Sequence, residues 1–305
     1  FGVTYQGGDP NQYNIEPLNA GWFWDWSAKK TSSLPELEYI RTIRLKPKGE
    51  GYTASPSGEA LLEVIRANPG ATWSIANEPD CVWMDNMVSY LYAQAYHDLY
   101  YFIKEADPTA KVAAGSIVQP TPQRISYLNR VLEAYRLNYD EPLPADLWIT
   151  HNYTLCENCW PTPQPGDPFA WGACRVPDWP NGSAEDVYYS VHDHWKLEPF
   201  AERIITMRQW MHDNGYQDMP LLVSEYGILF YDGLVSGKTT QDNIDFMNTT
   251  FDWMREARDL NIGYPADDYR LVQRWAWFSL DHDGWYMGGE LFNYQTHQPK
   301  ALANA

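Results

Sequence analysis

Short apolar runs, each too brief for a helix, alternate along this chain with stretches whose apolar residues return every three or four positions. Eight runs read as strands: residues 1–6 (FGVTYQ), 20–27 (AGWFWDWS), 38–46 (EYIRTIRLK), 73–78 (WSIANE), 111–118 (KVAAGSIV), 146–153 (DLWITHNY), 221–226 (LLVSEY) and 271–280 (LVQRWAWFSL). Helical spacing appears at Leu61, Val64 and Ile65, at Tyr92, Tyr96, Leu99 and Ile103, and at Ile125, Leu128, Val131 and Tyr135. It returns at Phe200, Ile204, Met207 and Met211, and at Ile244, Met247, Phe251, Met254 and Leu260. Strand–helix alternation implies parallel pairing through right-handed crossovers, and eight such units close into a (β/α)8 barrel. The other architecture is an open doubly wound sheet, but no Gly-rich phosphate loop follows the first strand to support it. With no internal repeat, low-complexity tract or linker, residues 1–305 read as one α/β domain. The expected fold class is a TIM barrel with long βα loops rich in aromatic residues and cysteine.

Two of the runs stop at a glutamate. Trp73-Ser74-Ile75-Ala76-Asn77-Glu78 is cut off by Pro79, which has no N–H for a ladder, and Leu221-Leu222-Val223-Ser224-Glu225-Tyr226 is released by Gly227. Barrel chemistry sits at the C-terminal strand ends. Those ends carry Trp24 and Trp26, Arg44, Asn77 and Glu78, His151 and Tyr153, Glu225, and Trp277. The fourth and seventh strands of an eight-stranded ring stand on roughly opposite sides, so Glu78 and Glu225 face each other across its mouth. Two carboxyls across an aromatic cleft suit glycoside hydrolysis: one donates a proton to the leaving oxygen, the other attacks the sugar carbon. A single strand-end glutamate is equally at home in a surface ion pair; the matched second one argues against that. His151 on its own would read as a core histidine, but in His151-Asn152-Tyr153 it is expected to line the site. Trp277 is expected to floor the sugar pocket, and Trp275 to serve barrel packing.

Composition narrows the partners. Asp and Glu total 40 against 22 Lys and Arg, a net charge of −18. Such a surface repels nucleic acid and anionic lipid. The 15 Trp and 22 Tyr offer flat faces for sugar rings, although many must fill the core. A neutral carbohydrate is the expected partner, with no nucleic acid, no membrane, no cofactor and no metal. No apolar run approaches the length of a membrane span. No signal peptide is seen, and the chain opens on a strand as a trimmed, mature protein would. A monomer is expected. Cys81, Cys156, Cys159 and Cys174 all fall in loops. One or two disulfides in an oxidising compartment, and so a secreted or extracellular protein, are one reading. The ligand-like spacing of Cys156 and Cys159 keeps zinc open as another, and free thiols are a third. A link from Cys81 to the later cluster would staple the loop after Glu78 to residues 154–185. That segment has no periodicity, is rich in Pro, Cys and Trp, and reads as an ordered wall.

Trp24-Asp25-Trp26-Ser27, Asn77-Glu78-Pro79-Asp80, His151-Asn152-Tyr153 and Ser224-Glu225-Tyr226-Gly227 together resemble the signature of the glycoside hydrolase clan A barrels. The pattern is similar to the glycosyl-hydrolase catalytic-core proteins around family 128, which act on β-1,3-glucans. The long insertion after Tyr153 departs from that pattern. The resemblance implies Glu78 as acid/base and Glu225 as nucleophile, with retention of configuration. It also implies Asn77 on the sugar 2-hydroxyl, Tyr153 or His151 supporting the nucleophile, and Trp277 stacked beneath the sugar. Arg44 or Arg41 would hold Glu225 ionised. Retention predicts carboxyl groups roughly 5 to 5.5 Å apart, and inversion roughly 6.5 to 9.5 Å. The expected activity is a retaining glycosidase, most simply an endo-β-glucanase, because tryptophans spread over several loops suggest several subsites. The competing classes are a barrel that binds sugar without cleaving it and a metal-dependent hydrolase, for which only His151 stands at a strand end.

Overall fold

The computed structural model describes residues 1–6, 9–157, 173–179, 187, 189–230, 235–282 and 288–305. Among them, the strands are β1 (Gly2–Thr4), β2 (Trp22–Trp24), β3 (Glu38–Lys48), β4 (Gly51–Ser55), β5 (Thr72–Ile75), β6 (Lys111–Ile117), β7 (Leu147–His151), β8 (Leu221–Tyr226) and β9 (Arg274–Trp277). The order β2-β1-β9-β8-β7-β6-β5-β3 is parallel at every step, and a β2–β3 pairing closes the ring. The result is the expected closed eight-stranded parallel barrel.

The α-helices are α1 (Gly58–Ala67), α2 (Ser89–Ala106), α3 (Pro122–Tyr139), α4 (Leu197–Asp213) and α5 (Thr240–Glu256). They follow β4, β5, β6, β7 and β8, while short 3-10 turns lie between β1 and β2. Two boundaries differ from the sequence reading. The run at 38–46 continues past Pro47 and doubles back as the antiparallel β3–β4 hairpin, with Pro47 opposite Tyr52. Because β4 lies outside the ring, the missing N–H of Pro47 breaks no barrel ladder. The last helix stops at Glu256, and Leu260, which fitted its apolar stripe, is 76% exposed. No helix among the described residues is long and apolar enough to cross a membrane.

Side chains alternate between two cores. Trp22, Trp24, Ile40, Ala113, Leu147, Ile149, Leu222 and Ala276 fill the barrel interior. A Cβ on Gly2 would lie 2.3 Å from the Trp22 ring, so glycine there makes room for an indole inside the barrel. The outward-facing residues pack under the helices: Trp148 edge-on to Trp210, and Trp275 and Trp277 both against Phe251 of α5. This apolar burial is the main stabilising term of such a fold. Residues 158–172 and 180–186 lie outside the described residues, including Cys159, Trp160 and Trp171, and with them most of the ordered wall expected at 154–185.

Candidate active site

The ladder stops at three neighbouring points on the C-terminal rim, and each stop aims a side chain inward. After β5, Ala76 still donates to Ile43 O at 2.9 Å, but Ala76 (φ 77°) and Glu78 (φ 47°) take left-handed backbone. Non-glycine residues pay about 1 kcal/mol or more for that conformation, so the surroundings must impose it. They do: Asn77 N donates to Asp85 Oδ2 at 3.0 Å and Glu78 N to Ser116 O at 2.9 Å. Ser116 lies where the β6–β7 register slips between Gly115 and Ile117, and a second slip on β7 sets His151 opposite Glu225. Such bulges at barrel rims re-aim side chains.

Three titratable groups meet as a result. His151 Nδ1 is 2.9 Å from Glu78 Oε1, and its Nε2 is 3.3 Å from Glu225 Oε1. A carboxylate oxygen of each glutamate and a ring nitrogen of His151 all lie within 4.8 Å of one another. Glu225 accepts two further hydrogen bonds, from the Trp26 indole N–H to Oε1 and from Tyr153 Oη to Oε2 at 3.2 Å. Burial raises the Glu225 carboxyl above its ordinary range; the His151 ring opposes this, the Glu78 charge adds to it, and the Trp26 and Tyr153 donors oppose it. His151 is fully buried, which disfavours its charge, but Glu225 and Glu78 outweigh that and raise its pKa. Burial, with the nearby Glu225 charge, keeps the Tyr153 phenol protonated and therefore a donor.

A cleft of about 390 Å³ opens over this cluster. Of the residues predicted from sequence, Glu78, Glu225, Asn77, Tyr153 and Trp26 line it, with His151 completely buried behind the two carboxyls. Asn77 Oδ1 is buried and has no hydrogen-bond partner among the described residues. Trp24 and Trp277 do not line the cleft. Trp24 is 0% exposed in the barrel interior, edge-on to His151 from within. Trp277 is 0% exposed and points outward, with Tyr226 and Phe246 around it and its indole N–H on Gly289 O. Strand period explains the error: Trp277 shares a face with Trp275, two residues away, so both turn to the helices. The inner face continues from Ala276 to Phe278, whose ring meets Trp26 and Tyr153 in the cleft. Neither arginine contacts Glu225. Arg44 pairs with Asp85 at 2.6 Å, and Arg41 binds Asn68 and backbone carbonyls.

The far wall carries the expected link from Cys81 to the later cysteine cluster. Cys81 and Cys174 form a disulfide and line the cleft. Their sulfurs are bonded to each other, so they offer no thiolate to a metal beside Glu78. The Glu78–His151–Glu225 group has three donor atoms close enough for an ion, yet hydrogen bonding within it already accounts for its proximity. Beneath the disulfide lies Arg124, 0% exposed, bonded to Asp80 at 2.6 Å, to Glu157 at 2.7 Å and to Cys174 O at 2.7 Å. This ion cluster ties the loop after Glu78 to α3 and to the end of β7.

Compared with known proteins, the chain matches no family model, and no curated protein matches it in sequence. Solved structures do match. A GH128 subgroup II endo-β-1,3-glucanase from Pseudomonas viridiflava superposes with a TM-score of 0.63 at 14% identity, covering 99% of this chain and 95% of that one. A GH128 subgroup I endo-β-1,3-glucanase from Amycolatopsis mediterranei, a glutamate-to-glutamine mutant in complex with laminarihexaose, gives 0.61 at 16%, covering 99% and 96%. A GH128 subgroup III curdlan-specific exo-β-1,3-glucanase from Blastomyces gilchristii gives 0.54 at 14%, covering 91% and 90%. At these identities the likeness establishes the fold.

Proposed function

We propose that this protein is a retaining β-glycosidase acting on β-1,3-glucan. The observation that carries the reading is the buried Glu78–His151–Glu225 cluster at the mouth of an aromatic-walled cleft, on the barrel face where such chemistry resides. The β-1,3-glucanase neighbours of the same fold supply the substrate class. Carboxylate oxygens within 4.8 Å favour the short separation of direct attack over the wider gap that admits a water.

The two carboxyls divide the work by their donors. Glu225 faces three, from Trp26, Tyr153 and His151, whereas Glu78 faces the His151 ring. Those donors stabilise the charge that Glu225 carries as nucleophile. Glu225 therefore attacks the anomeric carbon while Glu78 delivers its proton to the glycosidic oxygen, and the C–O bond to the leaving sugar breaks. Glu78, now ionised, takes a proton from water as that water displaces Glu225 and releases the sugar. Asn77 offers its unpartnered Oδ1 to a sugar hydroxyl, and His151, set between them, holds both carboxyls in place. The disulfide fits an extracellular protein.

The test is reducing-end release from a panel of β-1,3-glucan, β-1,4-glucan, mannan and xylan. Activity on β-1,3-glucan is expected, as is its loss in Glu225→Gln, with no glycosyl-enzyme trapped by a fluorosugar. Normal turnover by Glu225→Gln removes Glu225 from its role, and a wild-type protein inert on the panel removes the activity.

A further inference from the structure

Among the described residues Trp83 is the one exposed tryptophan, at 59%, and its neighbour Met84 is 46% exposed. Both line the same cleft as Glu78 and Glu225. Adjacent large apolar side chains this exposed beside a reactive group mark a binding surface.

The turn that carries them is rigid. Cys81 N donates to Glu78 O at 3.0 Å, and Met84 N and Asn86 N both donate to Cys81 O, at 3.0 and 3.1 Å. Val82 N reaches across to Arg175 O at 3.0 Å, alongside the Cys81–Cys174 disulfide. Asp80 pairs with the buried Arg124, and Asp85 faces inward to Arg44 and to the N–H groups of Leu45 and Asn77. What remains outside is uncharged and flat, the chemistry of a surface for the C–H face of a neutral sugar ring. A ring on so fixed a turn binds with little ordering cost.

We propose that Trp83, with Met84 beside it, is a sugar-stacking platform of the cleft, presented by a turn that the Cys81–Cys174 disulfide fastens to the facing wall. This rests on the glycosidase reading above.

The test compares wild type, Trp83→Ala and Trp83→Phe in two assays. In laminarihexaose hydrolysis, Trp83→Ala should raise KM roughly ten-fold, the equivalent of about 1.4 kcal/mol of lost stacking. Its kcat should fall less, and the cut site in reducing-end-labelled hexaose should shift. Trp83→Phe, which keeps an aromatic face, should recover most of this and stands in if the alanine variant folds poorly. In native gels cast with laminarin, wild type should be retarded and Trp83→Ala should not. If wild type hydrolyses the hexaose and Trp83→Ala matches it in KM, cut site and gel mobility, the platform is overturned and the glycosidase stands. If wild type is retarded without hydrolysing and Trp83→Ala runs free, the platform stands and the glycosidase fails. A wild type that neither binds nor cleaves overturns both.

Discussion

Tyr153→Phe isolates one of the donors that the proposed mechanism assigns to the nucleophile. The substitution removes the hydroxyl 3.2 Å from Glu225 Oε2 and keeps the ring, which packs edge-on to His151 and Phe278. The site therefore keeps its volume. A hydrogen bond to a charged group is worth about 1.5 to 3 kcal/mol. At 3.2 Å this one is long for O–H···O, which selects the lower end, about 1.5 kcal/mol. Its loss destabilises the ionised carboxylate, so the Glu225 ionisation moves up by about one pH unit, at about 1.4 kcal/mol each. Burial raises that ionisation too, so both effects act in the same direction. The acid limb of the kcat/KM profile should move up by about one unit. Below the limb the variant should be slower by about tenfold, and above it the rates should converge. The measurement is reducing-sugar release from laminarin between about pH 3.5 and pH 8. A limb that stays in place, or moves to lower pH, would refute the assignment of this hydroxyl to the Glu225 charge.

Arg124→Ala should cost about 3 to 5 kcal/mol in denaturant unfolding, because it leaves Asp80 and Glu157 buried without their cation; a loss under about 1 kcal/mol would show the cluster to be dispensable. Replacing both Cys81 and Cys174 by Ser opens a loop closed over 93 residues. Chain entropy sets the loss at no more than about 4 to 5 kcal/mol, or roughly 10 °C in Tm, and an unchanged Tm would deny the staple a stabilising role. Stability should also fall between about pH 5 and pH 8. Burial, against the pull of Arg124, raises Asp80 to about 6 from its ordinary 3.8, burial raises Glu225, and the two carboxylates raise His151 against its own burial. Each group binds its proton more tightly folded than unfolded, so the stability it contributes is complete below its unfolded pKa and is lost as pH rises through the folded one. Scanning calorimetry across that range should show Tm dropping by a few degrees, and a flat or rising Tm would contradict the signs.

The barrel was legible because its causes are local and periodic. Apolar runs such as LLVSEY and WSIANE can only be covered strands, and stripes such as Tyr92, Tyr96, Leu99 and Ile103 can only be helix faces. Strand breakage at Pro79 and Gly227 likewise marked Glu78 and Glu225 as lying at the ends of their strands. Which way an indole points near a strand end was less accessible. One step of register reverses every side chain, so Trp277 went to α5 and Phe278 to the cleft. The β3–β4 hairpin escaped notice because Pro47 reads as a stop unless the strand is known to have left the ring. The contacts that matter most for chemistry join residues far apart in the chain: His151 between two glutamates, Asp85 bracing Arg44 and Asn77, Cys81 bonded to Cys174. Local pattern dictates the elements, since hydrophobic period and backbone sterics act over a few residues. Pairing across the ring depends on closure, and only the closed barrel brings those side chains within bonding distance.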